Sequence, residues 1–356
     1  MAALRRVLTM ALALAWAPAA VAAADEPPQI SKPRAAPTTP PPVVPLPPAQ
    51  FDNKLAVGGE DLKARLVSTR LNVEVRVNGR GPYRFVVDSG ADTSVVGLRI
   101  AKDLELPLGT PAILNATTAR NLVDRVKVDA LSVGSSTFRG LMLPALKESD
   151  VGGDGLIGID ALVQQRLMMD FEKHVIKVED ASLPWKYNPD EIVIVAQRRR
   201  GQLILTRVRA GGVSLDAVID TGSEISIGNS ALRDKLIRRG RDKFTTVEAM
   251  GVTGVTVELQ IATIGELKLG PVTLTNVPVA FADVPPFKVF GLADEPALLL
   301  GTDVLETFRR VSLDFRARKV RFQLRHCGSE GVALTTSPSG NFTRLSSNGD
   351  VDVCGR

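Results

Sequence analysis

Two acidic triplets, Asp88-Ser89-Gly90 and Asp220-Thr221-Gly222, are the residues of this chain best suited to chemistry. Each follows an apolar run, at 84–87 and 213–219, that reads as a strand delivering a carboxylate to its end. Glycine lets the chain turn tightly beneath the carboxylate and leaves backbone N–H groups facing it. The hydroxyl of Ser89 or Thr221 can hydrogen-bond across to the opposite loop. One such loop says little, because Asp-Gly turns are common in β proteins. Two equivalent loops say more. If symmetry brings Asp88 and Asp220 within about 3 Å, both cannot ionise and the pair shares a proton. One carboxylate is then a base toward water and the other an acid toward a carbonyl, and the two titrate as a unit. No metal and no cofactor is needed.

The rest of the composition points the same way. His174 and His326 are the only histidines, which argues against Ser-His-Asp or Cys-His catalysis and leaves no HExxH-type zinc site. Cys327 and Cys354 are the only cysteines and could close a loop near the C-terminus in an oxidising compartment. The formal net charge of +5 is spread along the chain, and aromatics make up only 4%. The one basic run, Arg198-Arg199-Arg200, is followed by Gly201 and reads as a solvated turn, so no nucleic-acid partner is expected. Gly153, Gly155 and Gly158 satisfy GxGxxG, but 147–151 reads as a polar loop and no βαβ alternation follows.

The elements that must position the two aspartates form an internal repeat. Residues 71–96 read LNVEVRVNGRGPYRFVVDSGADTSVV, with Val73, Val75 and Val77 alternating with polar residues and Asn78-Gly79 as a hairpin turn. Residues 203–227, LILTRVRAGGVSLDAVIDTGSEISI, follow the same plan with Gly211-Gly212 at the turn, and the two triplets lie 132 residues apart. A second matched element follows each: DGLIGIDAL then MMDFEKHVIKV, and ALLLGTDVL then SLDFRARKVRF. Short helices are expected at 98–106 and 230–239. The fold class is mostly β: two pseudo-symmetric, barrel-like lobes with the site between them.

The flanks read differently. Arg5 and Arg6, an apolar stretch to Ala17, Pro18 and the small residues 19–24 read as a signal peptide over 1–24. Its removal takes the formal charge from +5 to +3. Residues 27–48 hold ten prolines in 22 positions and should be an extended spacer. The expected organisation is signal peptide 1–24, proline-rich linker 25–54, lobe 1 at 55–187, lobe 2 at 188–327 and a flexible tail at 328–356. Export to the periplasm or beyond, with no stable membrane span after cleavage, follows from the leader.

The strings VVDSGADTSVV and AVIDTGSEISI resemble the active-site motifs of aspartic proteases, closest to the retropepsin-like branch. LIGIDAL and LLGTDVL resemble the segment that threads under the catalytic loop in that family. The resemblance covers about residues 60–325 and is most similar to bacterial exported members fused as a single-chain pseudo-dimer. It implies Asp88 and Asp220 as the catalytic pair, Ser89 and Thr221 as an inter-lobe hydroxyl network, and Gly90 and Gly222 beside the substrate backbone. Asp92 and Glu224 match positions that contact substrate main chain, although a structural or exposed carboxylate is the other reading of each. The Arg that retroviral enzymes carry after the second-element Gly is absent, with Ile159 and Thr302 in its place. Flaps are sought in 115–124 of lobe 1 and 249–257 of lobe 2. The implied activity is cleavage of protein or peptide substrates in the cell envelope by a monomer, at mildly acidic to near-neutral pH. The alternative is a non-catalytic peptide- or protein-binding module on the same fold; intact aspartates and hydroxyls in both loops argue for catalysis.

Overall fold

A computed structural model describes residues 29–37, 60–325 and 333–336, apart from short breaks at 64, 68–69, 118, 135, 163–164, 182–183, 186–187, 200, 238–243 and 251–252. The leader, most of the linker, both cysteines and most of the tail lie outside the described residues.

Lobe 1 runs through β1 (Arg34–Ala35), β2 (Glu60–Lys63), β3 (Arg65–Val67), β4 (Arg70–Val77), β5 (Arg80–Val87), β6 (Val95–Gly97) and α1 (Leu98–Asp103). A hairpin of β7 (Ala112–Asn115) and β8 (Arg120–Val123) follows, then β9 (Arg125–Val133), β10 (Ser136–Leu146), α2 (Glu148–Val151), β11 (Gly155–Ile157) and α3 (Ile159–Leu162). The lobe ends on the hairpin β12 (Gln165–Asp170) and β13 (Val175–Asp180).

Lobe 2 repeats the plan: β14 (Glu191–Val195), β15 (Gln197–Arg199), β16 (Gln202–Ala210), β17 (Val213–Ile219), β18 (Ile227–Gly228) and α4 (Ser230–Ile237). Next come β19 (Thr245–Met250), β20 (Thr256–Leu269), β21 (Val272–Phe281), α5 (Pro285–Val289), β22 (Ala297–Leu300), α6 (Thr302–Leu305) and the hairpin β23 (Phe308–Asp314) and β24 (Lys319–Leu324). β25 (Ala333–Thr336) pairs with β21, so the tail, read as flexible throughout, contributes a strand to lobe 2.

Each lobe closes a six-stranded barrel, β4-β5-β11-β6-β10-β9 in lobe 1 and β16-β17-β22-β18-β21-β20 in lobe 2. The β4–β9 and β16–β20 pairings make the closures. The turns that start both barrels obey their sequence signals. Asn78 and Gly79 have φ of 48° and 76°, and Gly211 and Gly212 have 52° and 83°, the left-handed pair a two-residue hairpin turn requires. In β4 the alternation is realised as Val73, Val75 and Val77 inward with Glu74 and Arg76 outward.

The MMDFEKHVIKV and SLDFRARKVRF repeats become the two hairpins of a shared antiparallel sheet, β14-β24-β23-β12-β13-β2. Its seam is β12 against β23, with Met168 opposite Ser312 and the flanking residues in reciprocal register. Arg166 reaches Asp314 at 3.2 Å, and at the mirrored place Arg310 reaches Asp170. Trp185 lies under the guanidinium groups of Arg166 and Arg321, at 4.6 and 4.1 Å from the ring centre. The apolar core runs on behind the seam, through Leu167, Met169, Phe308 and Phe322.

Candidate active site

β5 ends at Val87 and β17 at Ile219, each buried and each paired in parallel with a strand of the second matched element. Asp88 N–H donates to the Ile157 carbonyl at 2.9 Å and Asp220 N–H to the Leu300 carbonyl at 3.0 Å. This pairing fixes where each carboxylate leaves its barrel. Gly90 and Ala91 N–H groups donate to Asp88 Oδ1 at 2.7 and 3.0 Å. Gly222 and Ser223 N–H groups do the same for Asp220 Oδ1, both at 3.1 Å.

The lobes are locked together beneath the carboxylates. Ser89 N–H donates to Thr221 Oγ1 at 2.8 Å, and that hydroxyl donates to the Val87 carbonyl at 2.8 Å. In return Thr221 N–H donates to Ser89 Oγ at 3.2 Å, and Ser89 Oγ donates to the Ile219 carbonyl at 3.0 Å. Both hydroxyls are buried, so each bond replaces a solvent partner that the site cannot supply. The glycines allow the closest approach. A methyl at Gly90 would stand 2.6 Å from Asp220 Oδ1, and one at Gly222 would overlap the Asp88 carboxylate.

Asp220 is held well above the ordinary range of an aspartate, first by burial and then by the charge of Asp88. The two amide bonds it accepts pull the other way and lose. The two carboxylates are therefore one titrating unit, in which a proton stays bound where an isolated aspartate would have lost it.

Both aspartates face a cavity of about 130 Å³, lined by Gly90, Asp92 and Gly222 of the loops, Ile113 to Thr117 of the β7–β8 hairpin, and Pro286, Val289 and Phe290 of lobe 2. The chain's two lobes, its paired loops and this cleft agree with an independent comparison. The profile of a family described as aspartyl protease matches residues 73–161 and 206–304, together over half of the chain. The chain belongs to the aspartyl protease family. It is a two-lobe member of the retropepsin-like plan. A search of curated proteins found no match.

In this aspartyl protease the 115–124 stretch, where a lobe 1 flap was sought, borders the cleft through Asn115, Ala116 and Thr117, and Ala116 N–H donates to the Ala119 carbonyl at 2.9 Å. The 249–257 segment also lies on a hairpin, β19–β20. Among its described residues none lines the cavity; instead a methyl at Gly254 would lie 3.1 Å from Asp150 Oδ2 on α2 of lobe 1. Asp92 lines the cavity but also accepts a 2.6 Å bond from Gln202 Nε2, which reaches across from lobe 2 and bonds the Gly90 carbonyl at 3.3 Å. Glu224 is half-buried and lies outside the described lining of the cavity.

Sequence reasoning missed a supporting pair in each lobe. Six residues after each catalytic-loop aspartate stands a serine, Ser94 or Ser226, and the aspartate of LIGIDAL or LLGTDVL binds it. Ser94 N–H and Oγ donate to Asp160 at 2.9 and 2.8 Å, and Gly158 N–H donates back to Ser94 Oγ at 3.0 Å. Ser226 makes the same three bonds with Asp303 and Gly301, at 2.9, 2.7 and 3.0 Å. The signal was present as a matched serine in both repeats. Burial pushes Asp160 and Asp303 up, against the hydrogen bonds they accept. Where an Arg was sought, Ile159 N–H donates to the Ala91 carbonyl at 2.9 Å, and Thr302 N–H and Oγ1 both donate to the Ser223 carbonyl. The two aspartate loops are held instead by bonds to their own backbone carbonyls, at Ala91 and Ser223. Of the accidental GxGxxG, Gly155 leaves room for the Phe85 ring and Gly158 for the Thr93 backbone, so these glycines serve packing. Residues 147–151, read as a loop, contain the single helical turn α2.

Proposed function

We propose that the chain is an aspartic endopeptidase in which Asp88 and Asp220 together activate a water molecule against a peptide carbonyl. The observation that carries this reading is the pairing of two amide-held carboxylates across a buried hydroxyl lattice, with burial and the charge of Asp88 raising the pKa of Asp220. With one proton between them, the ionised carboxylate takes a proton from water as it attacks, and the protonated one donates toward the carbonyl oxygen. Collapse of the tetrahedral intermediate then returns a proton to the leaving amine. Ser89 and Thr221 hold the two loops in register, and Gly90 and Gly222 let the carboxylates meet. Asp92 is proposed to contact substrate main chain at the cleft wall while Gln202 holds its other side. Glu224 is proposed for the same role on the lobe 2 side, where its distance from the cavity lining gives it less support.

The leader-like residues 1–24 support action on protein substrates in the cell envelope, and both motifs on one chain support a monomer. A diverse peptide library incubated with the protein from pH 4 to 7.5 and read by mass spectrometry tests the activity. Defined internal cuts are the expected result. No cut at any pH would favour a non-catalytic peptide-binding module. Fractionation with N-terminal sequencing of the mature chain tests export, and a mature start near residue 25 is expected.

A further inference from the structure

Residues 29–37 belong to the proline-rich stretch that composition reads as a spacer, yet they are docked. β1 adds to β8 as an antiparallel third strand, with Arg34 opposite Leu122 and Ala35 opposite Asn121. Ala36 N–H donates to the Arg120 carbonyl at 3.1 Å. Ser31 N–H donates to Asp124 Oδ2 at 2.7 Å, and the Arg34 guanidinium stands 3.6 Å from Asp124 Oδ1. Ile30, partly buried, packs on the main core.

Asp124 sits where β8 stops and β9 begins, and it is only 8% exposed. A carboxylate so placed needs donors, and residues 31 and 34 provide them. The hairpin it serves is the one that covers the cleft. β7 and β8 have four residues each, and a two-stranded ribbon of that length is marginal on its own. A third strand stabilises it and covers the otherwise open edge of β8. None of residues 29–37 lines the cavity, so the segment acts on the back of the flap and does not plug the cleft.

We propose that residues 29–37 are a working part of the active site: a third strand of the β7–β8 flap, latched by Asp124, that holds the flap against bound peptide. The proposal rests on the protease reading for its effect on catalysis, but not for its effect on the flap. Because the strand is held by a few backbone bonds, one carboxylate and the partly buried Ile30, and supplies no strand to either barrel, releasing it loosens the flap and leaves both barrels whole. The N-terminal linker thereby becomes a handle on substrate affinity.

The test uses the full chain with Ser31→Pro and Ala36→Pro together, which removes two docking N–H donors without touching the flap or the cleft. Ser31→Ala with Ala36→Ser keeps both donors and is the control. Hydrogen exchange at Arg120–Val123 should rise at least about tenfold in the proline variant and stay at wild-type rates in the control. KM for a cleaved peptide should rise about fivefold with kcat little changed, the mark of lost binding rather than lost chemistry. Unchanged exchange in β8 would overturn the latch. Faster exchange with unchanged KM would overturn its role in holding substrate. A wild type that cuts nothing would instead count against the protease reading, and exchange at β8 would still decide whether the strand braces the flap.

Discussion

At their catalytic loops the two lobes match bond for bond. Asp88 and Asp220 each take two amides on Oδ1, Ser94 and Ser226 each bridge a buried aspartate and a glycine N–H, and the inter-lobe hydroxyls exchange the same contacts in both directions. A few residues further along, the lobes diverge. The lobe 1 flap is short, breaks at Asp124, carries β1 on its edge and lines the cleft. In lobe 2 the same stretch of chain is the unbroken 14-residue β20, its tip is set on α2 of lobe 1, and the cleft wall comes from α5 and Phe290. On the proposed protease reading, symmetry is retained where a proton would be shared between equivalent groups and relaxed where an asymmetric peptide chain would be gripped.

The largest expected effects test the sameness of the loops. Gly90→Ala and Gly222→Ala each force a methyl into the opposite carboxylate, and misplacing a reacting group by that much should lower kcat by about 10²-fold or more. Steady-state kinetics should show comparable losses in both; a loss in only one would mean that the loops are not functional copies.

Ser94→Ala and Ser226→Ala each leave a buried carboxylate and a glycine N–H short of a partner. Each should cost about 1–3 kcal/mol in urea unfolding, by similar amounts. Unequal costs would show that the second elements carry different loads despite identical bonds.

The walls should behave oppositely. Phe290→Ala removes a ring that is 7% exposed at the cleft and should raise KM for peptides several-fold, while Gly254→Ala, at φ 75° away from the cavity, should mainly cost stability, about 1 kcal/mol. A KM effect from Gly254→Ala as large as that from Phe290→Ala would make the second flap a true cover and erase the contrast.

The smallest effect is a pH slope. Asp220, Asp160 and Asp303 all have folded-state values raised above those of the unfolded chain, chiefly by burial. Below about pH 4 they are protonated in both states and contribute their full stability; as pH rises the unfolded chain releases protons that the fold retains, and stability falls until the folded groups ionise. Asp220→Asn should therefore give a thermal midpoint that declines less between pH 4 and 7 than that of the wild type. An identical slope would mean that the Asp88/Asp220 pair does not retain an extra proton on folding.

The loops were legible in the sequence because their information is local. Asp-Ser/Thr-Gly, the glycine turns and the second elements recur at matched spacing, and each is read without knowing what lies across the molecule. The two hairpins of the shared sheet were visible as repeats too, but their meeting at Met168 and Ser312 was not. What stayed hidden depends on long-range pairing. Gln202 opens a strand like many others, and only the fold carries its amide to Asp92. β1 hides in a composition that signals an unpaired spacer, and its partners Leu122 and Asn121 lie 88 and 86 residues from Arg34 and Ala35. α2 and α5 are single turns, too short for any periodicity to mark.

The most direct test of the account compares kcat/KM of the wild type with Asp88→Asn and Asp220→Asn on one cleaved peptide across pH 4 to 7.5. If the two carboxylates work as one acid–base unit, each substitution removes the shared proton chemistry and activity falls at least about 10²–10⁴-fold in both, at every pH. Cleavage at the same bond that survives in either variant would contradict the dyad.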